Sequence, residues 1–466
     1  MERKKFDIIV LGAGPGGYPA AIRAAQHGRS VALVEAQDVG GTCLNRGCIP
    51  SKALIAGSAW IKRLEQASLF GVQLKEWAFD YSQLALHKDR VVEKMRIGLE
   101  RLIGNQKGIS LFRGYGEFIS PREMKVKGEA GFILEADCII IATGSEPKRL
   151  PSLPVDGKQI LDSTSLLNLK KLPHSLAIVG GGIIGCEFAS LYASLGVKVS
   201  ILELLPRLLP TETLELSAVL TKAFVKRGIQ IETGFKLSSA SSTDKGVVLL
   251  GEENKKIEAE LCLVAIGRSL NTEKIGLEKA GLSTQQNGML LVDKHMETAV
   301  KGLYAVGDIA SKWWLAHVAS HQGLVAADHA CGKKAHFSDE AIPSVIFTDP
   351  EIATVGLSLE EALKKGYPAK VHSFPFQALG KAQAVGEPDG FAQIVCDQKS
   401  GQVLGAQVVG AEASILIAEM GLAITNELTI QSLSETIHAH PTFSEVWSEL
   451  ALGAEGFPLH YKPRTS

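Results

Sequence analysis

Cys43 and Cys48 stand five positions apart in the run Gly40-Gly41-Thr42-Cys43-Leu44-Asn45-Arg46-Gly47-Cys48-Ile49-Pro50-Ser51-Lys52. Two cysteines this close can bind metal or each other. Structural zinc wants C-x2–4-C spacing and two further ligands nearby, but no Cys or His follows until His87. A disulfide needs its Cα atoms within about 7 Å, whereas an ideal helix holds residues i and i+5 roughly 8–9 Å apart. If the pair bonds, the stretch is not one regular helix, and Gly47 and Pro50 are residue types that permit a break. The other five cysteines, Cys138, Cys186, Cys262, Cys331 and Cys396, sit singly among apolar or mixed neighbours and read as buried free thiols. Seven cysteines scattered over 466 residues are not a secreted disulfide framework. In a cytosolic protein an accessible disulfide is more often catalytic than structural.

Thiol–disulfide exchange also needs a base for the attacking thiol and an acid for the departing one. An imidazole oriented by a carboxylate serves both near neutral pH. Of 12 histidines, His438 and His440 are two apart, so on an extended segment they share a face, and Pro441 biases His440 toward extended geometry. As a metal pair they lack an adjacent third ligand. Glu445, five residues beyond His440, is the natural orienting group.

A second chemistry is written in glycine, and it appears twice. Residues 6–11 read as a buried strand, Gly12-Ala13-Gly14-Pro15-Gly16-Gly17 as a turn, 15–27 as a helix stopped by Gly28, and 31–34 as a strand closed by Glu35. The order returns at 176–179, with Gly180-Gly181-Gly182-Ile183-Ile184-Gly185, a helix over 183–195 stopped by Gly196, and a strand over 197–202 closed by Glu203. In both repeats the acidic residue follows the first glycine by 23 positions. The first glycine (Gly12, Gly180) makes the tight turn, and the second (Gly14, Gly182) admits a pyrophosphate to the helix N-terminus. The third (Gly17, Gly185) packs helix on strand, and the carboxylate takes the ribose hydroxyls. At the second turn Glu203 accepts from a 2′-hydroxyl and repels a 2′-phosphate, which favours NAD over NADP. Arg207, four residues on, is the one residue that could favour a phosphate.

Around these turns the elements form an α/β protein. Residues 137–142 read as a strand running into Thr143-Gly144, 150–153 as a crossing linker, and 261–266 and 302–306 as further strands ending in glycine. From residue 342 strands at 391–396 and 403–409 and a helix at 413–422 read as a separate α+β domain without a nucleotide fingerprint. The expected domains are 1–150 joined by 276–341 for the first nucleotide, 151–275 for the second, and 342–466 at the C-terminus. A net charge of −1 and a pI near 6.9 exclude a global field toward nucleic acid or anionic membrane. The apolar stretches at 6–25 and 176–202 are broken by glycines, and the second also by charge. Neither suits a signal peptide or a membrane span, and a cytoplasmic protein is expected.

The run from Gly40 to Lys52 resembles the redox-active segment of the pyridine nucleotide–disulfide oxidoreductases, in wording most similar to their dihydrolipoamide dehydrogenase branch. Ala142-Thr143-Gly144, Ala265-Ile266-Gly267-Arg268, Tyr304-Ala305-Val306-Gly307-Asp308 and His438-Ala439-His440-Pro441-Thr442 match in order, so the resemblance covers essentially the whole chain. It implies two Rossmann-like domains, for FAD and then NAD, and a C-terminal dimerisation domain. Cys43 and Cys48 would be the redox disulfide, His440 with Glu445 the acid–base, and His438 structural. FAD would be held by Gly12, Gly14, Gly17, Glu35, Thr42, Lys52, Gly116, Thr143, Gly144, Asp308 and Ala316. NAD would be held by Gly180, Gly182, Ile183, Ile184, Gly185, Glu187, Glu203, Gly267 and Arg268, with Glu187 between the two rings. The implied partners are a second copy of the chain, lipoyl-bearing carrier proteins and acyltransferase subunits of 2-oxo acid dehydrogenase or glycine cleavage complexes. Against an NADPH-driven disulfide reductase stands Glu203; against a mercuric reductase, the lack of a C-terminal Cys pair; against a non-catalytic scaffold, the intact Cys43, Cys48 and His440; against a single-cysteine peroxide or oxygen reductase, Cys48. One departure is Trp313-Trp314 before Leu315-Ala316-His317, where relatives carry small residues and Met. It bears on the packing beside the flavin.

Overall fold

The computed structural model describes residues 1–128, 131–252 and 255–461. By internal contacts the chain divides into two units: 1–57 with 78–172 and 263–338, and 58–77 with 173–262 and 339–466.

The first unit is built on β1 (Glu2–Leu11), α1 (Gly17–Gln26) and β2 (Val31–Glu35). The redox segment follows directly as α2 (Gly41–Arg46) and α3 (Cys48–Glu65). β1 runs parallel to β2, with Ile8 opposite Val31 and Leu11 opposite Val34, and parallel on its other edge to the strand Phe132–Ile141. Ile109–Arg113 extends the sheet beyond β2, and Leu303–Ala305 pairs with the end of Phe132–Ile141. Both faces are covered, which is why these strands are continuous apolar runs rather than alternating ones. Ile8, Val10, Leu33 and Ile140 face Ala20, Ala21 and Ala24 of α1, while Ile9, Leu11, Val34 and Ile141 face Phe118, Met124 and Leu134. The expected strand at 137–142 is the end of this longer strand. Its start instead pairs antiparallel with Glu123–Lys127 and so with Tyr115–Ser120. The expected helix start at Pro15 moves to Gly17, with Gly16 as its cap.

In the second unit β3 (Ser175–Val179), α4 (Ile183–Ser194) and β4 (Lys198–Glu203) repeat the arrangement, β3 parallel to β4 and β4 parallel to Gln230–Thr233. Residues 342–461 hold an antiparallel sheet in the order Ser344–Ile346, Ile352–Gly356, Val403–Gly410, Gly390–Asp397, Ala369–Pro375. Ala413–Thr425 and Glu445–Ala454 supply Leu416, Met420, Val446 and a fully buried Trp447 to the core of that sheet. Among the described residues no helix is long and apolar enough to cross a membrane.

Candidate active site

Cys43 and Cys48 are bonded, with their Cα atoms 4.7 Å apart. The helix breaks between them, as a bonded pair at this spacing requires. α2 ends at Gly47, whose φ −144°, ψ −109° is far from helical, and α3 starts at Cys48 itself. A Cβ on Gly47 would lie 3.0 Å from the Thr42 carbonyl oxygen, so the break is also a close approach of backbone to backbone. Pro50 falls in the first turn of α3, where its missing N–H costs nothing. The two sulfurs differ in setting. Cys48 opens an 18-residue helix, whose N-terminus favours an anion there. Cys43 lies within the six-residue α2. Both residues are half-buried. Asn45 locks α2 by donating to the carbonyls of Val39 at 2.9 Å and Gly41 at 3.0 Å.

This segment starts on the first nucleotide turn. Gly40 N–H donates to the Ala13 carbonyl at 2.8 Å, and Gly40 and Gly41 both take positive φ, 92° and 57°. A Cβ at Gly41 would lie 2.7 Å from Gly14 Cα. At the turn itself a Cβ on Gly17 would sit 1.8 Å from the Gly12 carbonyl oxygen. Glu35 is buried and accepts from the N–H of Ala13 and of Gln37, each at 2.7 Å. The same logic holds at the second turn. A Cβ on Gly185 would meet the Gly180 oxygen at 1.9 Å, and Glu203 accepts from Gly181 N–H at 2.5 Å and Leu205 N–H at 2.7 Å. Gly182 caps α4, with Ile183 and Ile184 its first residues, and a Cβ there would meet nothing within 4 Å. Open space at the N-terminus of α4, rimmed by an acid, fits a dinucleotide at the second turn, and the first repeats its glycine and acid arrangement. Arg207 is turned onto its own loop, donating to the carbonyls of Glu212 at 2.7 Å and Pro210 at 2.8 Å.

A polar cluster in the first unit gathers residues from three parts of the chain. Ser145 Oγ donates to the Asp308 carboxylate and accepts from Arg268 Nε at 2.6 Å, while Arg268 also donates to the Ser145 carbonyl. Burial lowers the pKa of Arg268, and the Asp308 charge opposes that. Thr143 and Asn271 exchange hydrogen bonds at 2.8 and 3.0 Å, and Gly307 N–H donates to the buried Gln322 at 2.8 Å. Gly144 and Gly267 take positive φ, and a Cβ at either would meet nothing within 4 Å, so both backbones border open space. Arg268 and Gly267, expected beside the second nucleotide, are thus in one unit with Asp308, expected beside the first. Gly116 is a packing glycine, since a Cβ there would lie 2.5 Å from Leu11 Cδ1 and 2.7 Å from Met124 Sδ. Thr42 lies on α2, Lys52 on the second turn of α3, and Ala316 opens the helix Ala316–Ala330. Sequence reasoning missed Ser145, Asn271 and Gln322. Ser145 directly follows the Thr143-Gly144 pair, while Asn271 and Gln322 carry no local signal.

In the second unit Glu187 is buried on α4 and accepts from Phe347 N–H at 3.0 Å. The two C-terminal histidines differ in exposure and in partner. His440 Nδ1 pairs with Glu445 Oε1 at 2.8 Å and its side chain is 76% exposed. The side chain of His438 is 6% exposed and held by Glu419 at 2.8 Å, a partner the sequence did not suggest. Glu419 raises the pKa of His438, with burial opposing. For Glu445, burial alone would raise the pKa; the Thr442 N–H and then His440 outweigh it, and the net direction is down.

Residues 6–323 match the family described as pyridine nucleotide-disulphide oxidoreductase, and residues 342–451 match the dimerisation domain of that family. The chain is 49% identical over 462 residues to a dihydrolipoyl dehydrogenase of Chlamydia pneumoniae, covering 99% of this chain and 100% of the relative. It is 40% identical over 473 residues to a dihydrolipoyl dehydrogenase of Bacillus subtilis, covering 98% and 99%. Among solved structures, LpdA from Mycobacterium tuberculosis superposes with a TM-score of 0.90 at 29% identity, covering 97% of this chain and 99% of that one. The copper(II) complex of the HOCl-induced flavoprotein disulfide reductase RclA from Escherichia coli follows at 0.87 and 27%, covering 96% and 99%. With a redox disulfide, two dinucleotide turns and full-length relatives, the chain belongs to the pyridine nucleotide-disulphide oxidoreductase family.

Proposed function

We propose that this chain oxidises dihydrolipoyl groups to the disulfide and passes the two electrons through Cys43–Cys48 and FAD to NAD. The observation that carries this is the Cys43–Cys48 bond across a helix break, anchored on the first nucleotide turn. FAD, when bound, supplies the two-electron carrier between dithiol and NAD. The chain's own residues do the rest. A substrate thiolate attacks Cys43 Sγ, the Cys43–Cys48 bond breaks, and Cys48 leaves as a thiolate favoured by the α3 N-terminus. The second substrate thiol displaces Cys43, which leaves an oxidised lipoyl disulfide and a reduced Cys pair. His440 takes the proton from the attacking thiol, and Glu445 fixes its ring. At the two turns, Glu35 and Glu203 bind the ribose of FAD and NAD.

The three-domain division, with the first nucleotide domain in two segments around the second, accompanies this function. The active form is a homodimer whose C-terminal domains meet, and the exposed ring of His440 serves the disulfide of the other copy. The substrates are lipoyl groups on carrier proteins and acyltransferase subunits of 2-oxo acid dehydrogenase or glycine cleavage complexes, in the cytoplasm. The near-neutral net charge supports a protein partner over nucleic acid. The test is an anaerobic assay with dihydrolipoamide and either NAD or NADP. Reduction of NAD is expected, with kcat/KM well above that for NADP. Inertness toward dihydrolipoamide, with NADPH-driven reduction of another disulfide, would reject the proposal.

A further inference from the structure

Beside the pair His440–Glu445 stands a second pair built the same way. Glu449 follows Glu445 by four residues on the helix Glu445–Ala454, so the two carboxylates lie one turn apart on one face. Gly456 follows that helix at φ 91°, and Phe457 N–H donates to the Leu452 carbonyl at 2.9 Å, which turns the chain back along the helix. Tyr461 packs edge-on against Phe374, with 5.7 Å between ring centroids. His460 thereby meets Glu449. Its Nδ1 pairs with Oε1 at 2.6 Å, and its main-chain N–H donates to Oε2 at 3.3 Å. Glu445 is held likewise, by His440 Nδ1 on one oxygen and Thr442 N–H on the other. The Glu449 side chain is 10% exposed, so its charge needs a partner, while that of His460 is 72% exposed. The hydrogen bond to Glu449, and then its charge, raise the pKa of His460, so the ring stays charged past the ordinary imidazole value. Burial works against ionisation of Glu445; Thr442 N–H, His440 and then His460 favour it. Further titratable groups around the helix are His438 with Glu419, and Glu435 after Ile430–Ser434. Lys370 and His372 share a face of the strand Ala369–Pro375 with Phe374, and Asp397 accepts from the N–H of Lys399 and Ser400.

We propose that His460 and Glu449 form a neutral ion pair that sets the pH at which His440 exchanges its proton, making His460 a positioning residue for the acid–base step. This rests on the acid–base role of His440 given above. Without the His460 charge, the Glu449 carboxylate stands uncompensated one turn from Glu445, and the added negative charge holds the proton on His440. Without the Glu449 charge, an imidazolium remains there and drives that proton off.

The first measurement is the acidic limb of the kcat/KM profile for dihydrolipoamide, which reports the base of the free enzyme. At low ionic strength His460→Gln should move that limb up by about 0.3–0.6 pH unit, and Glu449→Gln should move it down by a similar amount. Those sizes follow from charges about 6 Å apart in near-aqueous surroundings. The double variant, neutral again, should return close to the parent, and salt near about 1 M should erase both single shifts. A purely structural role would move all three variants in one direction and would ignore salt. The second measurement is the titration of the His440 ring, followed by its NMR signals in the holoenzyme, which should show the same opposed shifts without turnover. A parent inert toward dihydrolipoamide would defeat the functional reading, and the ring titration would still decide this inference. A His440 titration identical in parent and His460→Gln overturns the proposal. So do shifts of the same sign in the two single variants.

Discussion

At residues 12–17 and again at 180–185, a third glycine lies so close to the carbonyl of the first that a Cβ would sit 1.8 or 1.9 Å from its oxygen. In both turns a buried glutamate, Glu35 or Glu203, accepts from the second residue of the turn and from the residue two beyond itself. The difference is in what covers the middle glycine. Gly14 is approached by Gly41, at the root of the helix that carries Cys43, while Gly182 faces nothing within 4 Å. The redox segment thus packs on the first turn, while among the described residues nothing comes within 4 Å of a Cβ at the middle glycine of the second.

The largest effects should come from the shared element. Gly17→Ala and Gly185→Ala force backbone apart, and each should cost about 3 kcal/mol or more in thermal unfolding. Gly17→Ala should lose FAD, and Gly185→Ala should lose NAD binding with FAD retained. If Gly185→Ala protein is isolated without flavin, the two turns are not independent and the comparison breaks.

The covering is tested next. Gly41→Ala meets Gly14 at 2.7 Å and strains a φ of 57°, so about 1–3 kcal/mol of stability should go, together with the rate of disulfide reduction by an external dithiol. Gly182→Ala has open space and should change stability by less than about 1 kcal/mol, while weakening NAD at the phosphates. Equal unfolding temperatures for the two variants would show that the cover contributes nothing.

A smaller effect separates the two acids. Glu203→Ala should narrow the NAD-over-NADP ratio in kcat/KM by about tenfold, the worth of a charge-assisted hydrogen bond to a ribose hydroxyl. Glu35→Ala should weaken FAD and leave that ratio alone. An unchanged ratio in Glu203→Ala would remove Glu203 from coenzyme choice.

The smallest effect contrasts these acids with those that hold histidines. The raised pKa of His438 means that its pairing with Glu419 stabilises fully below the ordinary imidazole value, about 6.5, and is lost as pH rises through the raised value. Glu419 is 34% exposed, so the contribution should stay under about 1 kcal/mol. Urea unfolding of His438→Asn should show a larger deficit at about pH 5.5 than at about pH 8.5; a deficit that grows with pH would reverse the assignment.

Both βαβ starts, their acidic ends and the cysteine pair were legible in the sequence, because each depends on geometry within about two dozen residues; a break was expected if the pair bonds, with Gly47 and Pro50 both able to make it, and it falls at Gly47. Strand ends were less so. Phe132–Ile141 is longer than its apolar run because Phe132–Glu135 pairs with Glu123–Lys127, and the 25-residue helix Tyr81–Asn105 escaped the sequence reading altogether. Its buried Tyr81, Ala85, Lys88 and Ile103, with Leu84, Val92 and Leu99 between them, recur at helical spacing, so the pattern was present in the chain but was not used.

What the sequence determined by itself is therefore the chemistry and its local frames: which thiols bond, where two phosphates fit, and which imidazole has a carboxylate five residues away. Tertiary structure alone decided which distant groups complete those frames. Ser145 joins Arg268 and Asp308 across more than a hundred residues, Gln322 satisfies Gly307, and Glu419 rather than a neighbour in sequence takes His438. Turn geometry is set by adjacent dihedrals and leaves a pattern in the chain. A buried polar group needs only some partner of the right kind, and folding selects which one arrives.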